Sequence, residues 1–369
     1  MEDVLRRAGA SGGVLAELLE YCENPYALSG AGMPVALPLP DEPHVAAWLG
    51  YEEDARRVGA FVALRRRFAQ LQFPIRTGMS DDDGYRRATR RGMFPESESV
   101  DGGLALSDPS GIELAVCPSM AGRVPVITVR DRGDFVALVQ AFTERNEPNP
   151  VPSSMGACAV TGLNNWHRIA LYRAAWEEAQ GGAGEAAWAQ EFQALIPRKD
   201  RYQDRFIILS HGPYSAVPAG DVNLPRDEWL ARSLVIRREH EFLHYFTYRL
   251  FNRIRSNVFD ELIADFVGIV AAFGTYSSEL ALRLLGVAGP SLPPREARIR
   301  IYRGTLSDAA FAIVCGLAAR ASENLEQLAR ANGSLMTEVA TQARVAHALA
   351  TLSLPGLASR DLREIAAVE

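Results

Sequence analysis

The chain has 369 residues, 48% of them apolar, and a formal net charge of −6. That length can bury a large core as one domain or several, and the negative balance gives no general attraction for nucleic acid or an anionic membrane. Of the 39 basic residues a single one, Lys199, is lysine, so a phosphate-cradling GxxxxGK[ST] loop is excluded and Schiff-base chemistry would rest on Lys199 alone.

This arginine-, alanine- and glycine-rich composition suggests a high-GC bacterial gene. No G-x-S-x-G elbow occurs. Cys22, Cys117, Cys158 and Cys315 are scattered without the close pairs of a zinc knuckle or redox dithiol, and read as reduced core residues. Neither a leader-like apolar core at the start nor a run of eighteen apolar residues is present, so a cytoplasmic address is expected.

Residues 1–95 read as a helical region. Within it, residues 42–72 place Ala47, Tyr51, Val58, Phe61, Val62 and Phe68 at helical spacing, and these are expected core. The arginine runs Arg65, Arg66, Arg67 and Arg86, Arg87, Arg90, Arg91 read as solvated helix faces, with a phosphate or acidic-substrate patch as the alternative. Short β-branched runs then predict strands at 112–117 and 124–129. A helix over 134–146 is followed by a proline-rich loop at 147–154. Segment 153–168 sets small residues beside Asn164, Asn165, Trp166, His167 and Arg168. It reads either as a pocket lining or as a helix start with Asn164 as N-cap and Trp166 in the core. Helices over 165–180 and 185–195 precede the most apolar strand, 205–211.

From residue 225 the chain reads as almost wholly helical, and it carries the run Glu239-His240-Glu241-Phe242-Leu243-His244. Two histidines four apart share one helix face and can grip one divalent ion, while Glu241 can act as base toward a water that the ion activates. Residues 242–251 are apolar nearly all round, as in a buried helix, where unpaired ionised groups cost several kcal/mol that a metal offsets. The alternative is a chance HExxH with both imidazoles merely hydrogen-bonded. After sixteen more residues comes Glu261, in what reads as a second helix with Asn257 as N-cap and Asp260 serving the free N–H groups of its first turn. Glu261 and Asp265 point the same way. Glu261 can complete a three-ligand site, and Asp265 can accept the second N–H of a liganding imidazole.

At these residues the chain resembles the gluzincin branch of zinc metallopeptidases, the thermolysin and aminopeptidase relatives, in which HExxH is followed by a helix of the form Glu-x-x-x-Asp. The resemblance covers about residues 236–276 and implies His240, His244 and Glu261 as zinc ligands, Glu241 as general base and Asp265 as the residue orienting a histidine. The connection of sixteen residues departs from the better-known members, which carry about eighteen or more, so a tighter turn or a shifted second helix is expected. The resemblance further implies a sheet edge beside the metal helix that binds extended substrate. Residues 206–209 are assigned to that edge, and His211 and Tyr214 just after it to substrate contact, with a plain turn as the alternative. Tyr214, Tyr276 and Tyr302 are candidate oxyanion donors, none assigned firmly.

The reading is therefore an α+β, zincin-like protein with a predominantly helical C-terminal half and a small mixed sheet in the middle. Three regions are expected: 1–95 helical, 96–224 α/β, and 225–369 helical with the metal site. The expected function is cytoplasmic zinc-dependent hydrolysis of a peptide or small amide, with no nucleic-acid or membrane partner. The alternatives are a non-haem iron(II) enzyme using the same triad and a noncatalytic, metal-stabilised binding or scaffold protein. Oligomeric state is left open.

Overall fold

A computed structural model describes residues 1–24, 26, 36–94, 103–182, 184–252, 257–287, 292–332, 338–363 and 365. In chain order the helices are α1 (Glu2–Arg7), α2 (Gly12–Tyr21), α3 (Val45–Val58), α4 (Ala60–Arg65) and α5 (Asp83–Arg91). The strands β1 (Ile112–Ser119) and β2 (Gly122–Val129) follow, then α6 (Arg132–Thr143), β3 (Ala157–Asn164), α7 (Trp166–Ala179), α8 (Glu185–Leu195) and β4 (Gln203–Ser210). The remainder is helical: α9 (Arg226–Phe251), α10 (Val258–Phe273), α11 (Ser278–Leu285), α12 (Asp308–Asn332), α13 (Val339–Ala350) and α14 (Leu354–Ser359). The chain is thus α+β, with a small mixed sheet in its middle. No helix among the described residues is long and apolar enough to cross a membrane.

Two compact units form. Asp41–Pro118 with Arg123–His211 make a sheet unit, and Met1–Pro40, Ser119–Gly122 and Gly212–Glu369 make a helical unit. The division cuts across the three consecutive regions read from the sequence, because α1 and α2 bury Leu5, Leu15 and Leu18 within the helical unit. An apolar face takes whichever partner buries it, near in sequence or not.

In the sheet unit the strand order is β1-β2-β4-β3, with β4 parallel to β2 and antiparallel to β3. This corrects the assignment of residues 206–209 to a substrate-binding edge. Phe206, Ile207, Ile208 and Leu209 are at most 1% exposed, so the strand is buried on both faces and paired on both sides. The strand beside it, β3, was not foreseen. Its residues are small and mostly open to solvent, and an edge strand of that kind carries little apolar signal. Asn165 rather than Asn164 caps α7, its Oδ1 accepting from the N–H of His167 at 3.0 Å. The Asn165 amide also donates to the Asp204 carboxylate at 2.7 Å, which Trp48 Nε1 and Arg168 Nη1 reach at 2.8 and 2.7 Å. A buried carboxylate with this many donors is compensated.

The helical unit is built around α10, whose residues from Val258 to Val270 are all buried. Asn257 caps it, accepting from the Asp260 N–H at 3.2 Å, and Gly274 ends it in a left-handed turn with φ of 72°. The turn expected between α9 and α10 includes residues 253–256, which lie outside the described residues. A close crossing with α9 is set by Gly268, where a Cβ would meet the Ile236 carbonyl oxygen at 2.6 Å. Only a glycine lets the two backbones approach this far.

Candidate metal centre

On α9, His240 and His244 lie one turn apart with their Nε2 atoms 3.0 Å from each other. From α10, Glu261 brings Oε2 to 3.4 Å from His240 Nε2 and Oε1 to 3.4 Å from His244 Nε2. Two ligands about 2.0–2.1 Å from a tetrahedral zinc stand about 3.3 Å apart, so the three donors already span one face of such a site. His240 and Glu261 are 6% and 5% exposed, and His244 is half-buried, which leaves an approach from solvent beside it.

Behind the donors sits a second layer. His240 Nδ1 is 2.9 Å from Asp265 Oδ1, and the Tyr214 hydroxyl donates to that same oxygen at 2.5 Å while standing 2.9 Å from Nδ1. With its Nδ1 proton directed at Asp265, the His240 ring presents an Nε2 lone pair to the other donors. Arg298 spans both carboxylates, with Nη2 at 2.7 Å from Glu261 Oε2 and Nη1 at 2.9 Å from Asp265 Oδ2. Burial opposes charge on Glu261, but His240, His244 and Arg298 outweigh it and hold the carboxyl well below its usual range. Asp265 is likewise held down against burial, mainly by Arg298. His244 is pulled down by burial, yet the Glu261 carboxylate, with Glu241 and Asp260 adding to the field, raises it to about 9. Carboxylates outweigh the guanidinium here, and the site draws positive charge.

The loop bearing Tyr214 is pinned to α9. The Tyr214 N–H donates to Ser233 Oγ at 3.0 Å, and Arg237 Nη2 donates to the Gly212 and Pro213 carbonyls at 3.2 Å each. Ser215 and Ala216 follow with φ of 53° and 57°, a strained conformation for residues with a Cβ. Arg298 Nη1 donates to Ser215 Oγ at 3.1 Å and so ties this loop to the carboxylates.

The structure thus brings together His240, His244, Glu261, Asp265 and Tyr214. Tyr214 is buried behind the His240 ring, and burial drives its phenol well above the usual range. His211 is exposed at the end of β4 in the sheet unit, its N–H donating to the Val129 carbonyl at 3.0 Å. The Glu241 side chain is half-buried and makes no hydrogen bond or ion pair among the described residues. Tyr276 is buried against Phe266, whereas Tyr302 stays half-buried with its hydroxyl 3.4 Å from Arg298 Nε. Arg298 was missed by sequence reasoning; in so arginine-rich a chain nothing local distinguishes it.

A model described as a family of unknown function (DUF7005) matches residues 3–361, nearly the entire chain. No curated protein and no solved structure matches.

Proposed function

We propose that this chain, which belongs to the family of unknown function DUF7005, is a zinc-dependent hydrolase that cleaves a peptide or other amide bond. The observation that carries the reading is the convergence of His240 Nε2, His244 Nε2 and the Glu261 carboxylate at separations of 3.0 to 3.4 Å. A zinc ion held there supplies a Lewis acid that acidifies water and polarises a carbonyl. Glu241, adjacent to His240 and committed to no other side chain among the described residues, accepts the proton of the attacking water and returns it to the leaving amine. Asp265 and Tyr214 hold the His240 tautomer, and Arg298 engages one oxygen of Glu261, leaving the other to bind. Tyr302 is the phenol best placed to meet a developing oxyanion, since it is half-buried beside the Arg298 and Glu261 pair.

The resemblance of α9 and α10 to gluzincin helices supports a zincin-like arrangement of this unit. A cytoplasmic setting belongs to the same proposal, supported by four cysteines scattered along the sequence without close pairs.

Metal analysis of protein purified without added metal tests the reading, with one zinc per chain expected and His244→Ala losing it. Glu241→Gln should keep the zinc while cleavage of a fluorogenic peptide library falls about 10²- to 10⁴-fold. Stoichiometric iron with oxygen-dependent turnover would overturn the zinc assignment, and a chain that takes up neither metal would overturn the site. Undiminished cleavage by Glu241→Gln would remove Glu241 as base.

A further inference from the structure

The sheet unit holds a cleft of about 570 Å³ lined by Arg66, Arg90 and Arg91 together with the rings of Trp166, Trp188 and Phe192. That volume falls within the range of about 300–1,000 Å³ usual for small-molecule sites. Arg66 follows the end of α4, Arg90 and Arg91 close α5, and the rings come from α7 and α8. Two sequence features that the metal centre leaves unexplained, the arginine runs and the Trp166 segment, therefore meet here.

Three of the four arginines lining this cleft are uncompensated among the described residues. Arg66, Arg90 and Arg91 are exposed and make no ion pair or side-chain hydrogen bond among the described residues. Arg173, which also lines the cleft, binds Glu177 at 2.6 Å and forms a second ion pair with Glu185. Three guanidinium groups with no partner among the described residues, set around one concavity in a chain of net charge −6, create a local positive field suited to a multiply charged anion.

The aromatic side is built rather than incidental. Trp166 Nε1 donates to the Thr89 carbonyl at 2.7 Å, and its ring lies so close to Gly92 that a Cβ there would stand 2.6 Å from it. Gly92 has φ of +67° at the end of α5, a conformation that favours glycine, so the turn after Arg91 and the indole face fit each other. Phe192 lies nearly parallel to Trp166 at 6.2 Å between centroids, and Trp188 lies 5.8 Å from Phe192. All three rings remain partly open to solvent. Partly open rings beside unpaired cations suit a flat ring carrying several negative charges.

We propose that this cleft binds a nucleotide, with the phosphates at Arg66, Arg90 and Arg91 and the base against the Trp166, Trp188 and Phe192 wall. The test is titration of the full chain with ADP at low salt, followed by tryptophan fluorescence and calorimetry. Saturable binding of one ADP per chain is expected, with adenosine and pyrophosphate each at least tenfold weaker. The double variant Arg90→Ala, Arg91→Ala should weaken ADP at least tenfold at an unchanged melting temperature, since both side chains are exposed. Trp188→Ala should weaken ADP and adenosine alike. Absence of saturable ADP binding, or ADP affinity indifferent to the arginine variant, overturns the proposal. Pyrophosphate binding as tightly as ADP overturns the role of the aromatic wall and with it the nucleotide.

Discussion

Glu261 Oε2 accepts from Arg298 Nη2 at 2.7 Å, while Glu261 Oε1 faces His244 Nε2 at 3.4 Å. One carboxylate is thereby shared between a fixed cation and the donor cluster. Arg298 is 14% exposed at its side chain and also neutralises the fully buried Asp265. Its guanidinium helps hold both acids ionised.

Arg298→Ala should therefore act on stability and on metal binding together. Leaving Asp265 buried without its partner is expected to cost about 3–5 kcal/mol, and zinc affinity should fall about 10- to 100-fold. Thermal melting and zinc titration against a competing chelator measure the two effects. Arg298→Lys should recover part of the stability and less of the affinity, because an ammonium group cannot span both carboxylates as the guanidinium fork does. Unchanged zinc affinity in Arg298→Ala would mean that the arginine does not position Glu261.

Zinc binding should release a proton from His244. That imidazole is raised from 6.5 to about 9 in the metal-free protein, so its contribution to stability is fully present below pH 6.5 and is lost as pH rises through about 9. At pH 7 the ion must displace this proton, and apparent affinity should climb with pH and level off above about 9. Calorimetry in buffers of different ionisation enthalpy counts the protons. A reaction heat independent of the buffer would show that His244 is already neutral.

Gly268→Ala tests whether the close crossing of α9 and α10 sets the site. The added Cβ would stand 2.6 Å from the Ile236 carbonyl oxygen, and the helices must separate to admit it. A loss of about 1–3 kcal/mol is expected, with weaker zinc binding because His240 and Glu261 stand on the two helices that cross there. Gly316→Ala in α12 is the control, since its Cβ meets nothing within 4 Å and should stabilise the helix by up to about 1 kcal/mol. Wild-type zinc affinity in Gly268→Ala would separate helix spacing from the metal centre.

Tyr214→Phe should keep the ring packed and remove the hydroxyl that donates to Asp265 at 2.5 Å. A fall in zinc affinity of about tenfold is expected, as for other partners that orient a ligand. If the phenol met substrate instead, zinc affinity would stay constant and the Michaelis constant would rise.

Legibility in the sequence followed the range of the interactions. The four-residue spacings of His240 with His244 and of Glu261 with Asp265, and the Asn257 cap, are set within a turn or two of backbone. Strands β1 and β2 were legible from their β-branched runs, and β4 from its apolar run. The edge strand β3 was hidden because solvent leaves its composition unconstrained, and β4 was misplaced at the edge because a strand's own residues do not specify its neighbours.

Local periodicity by itself determined which side chains share a helix face, and so which residues a metal would need. Arg298, 37 residues beyond Glu261, and Tyr214, 26 residues before His240, reach the site through folding alone. Their positions follow from the burial of α10 and the glycine-set approach of α9, contacts between distant segments that local helix spacing does not encode.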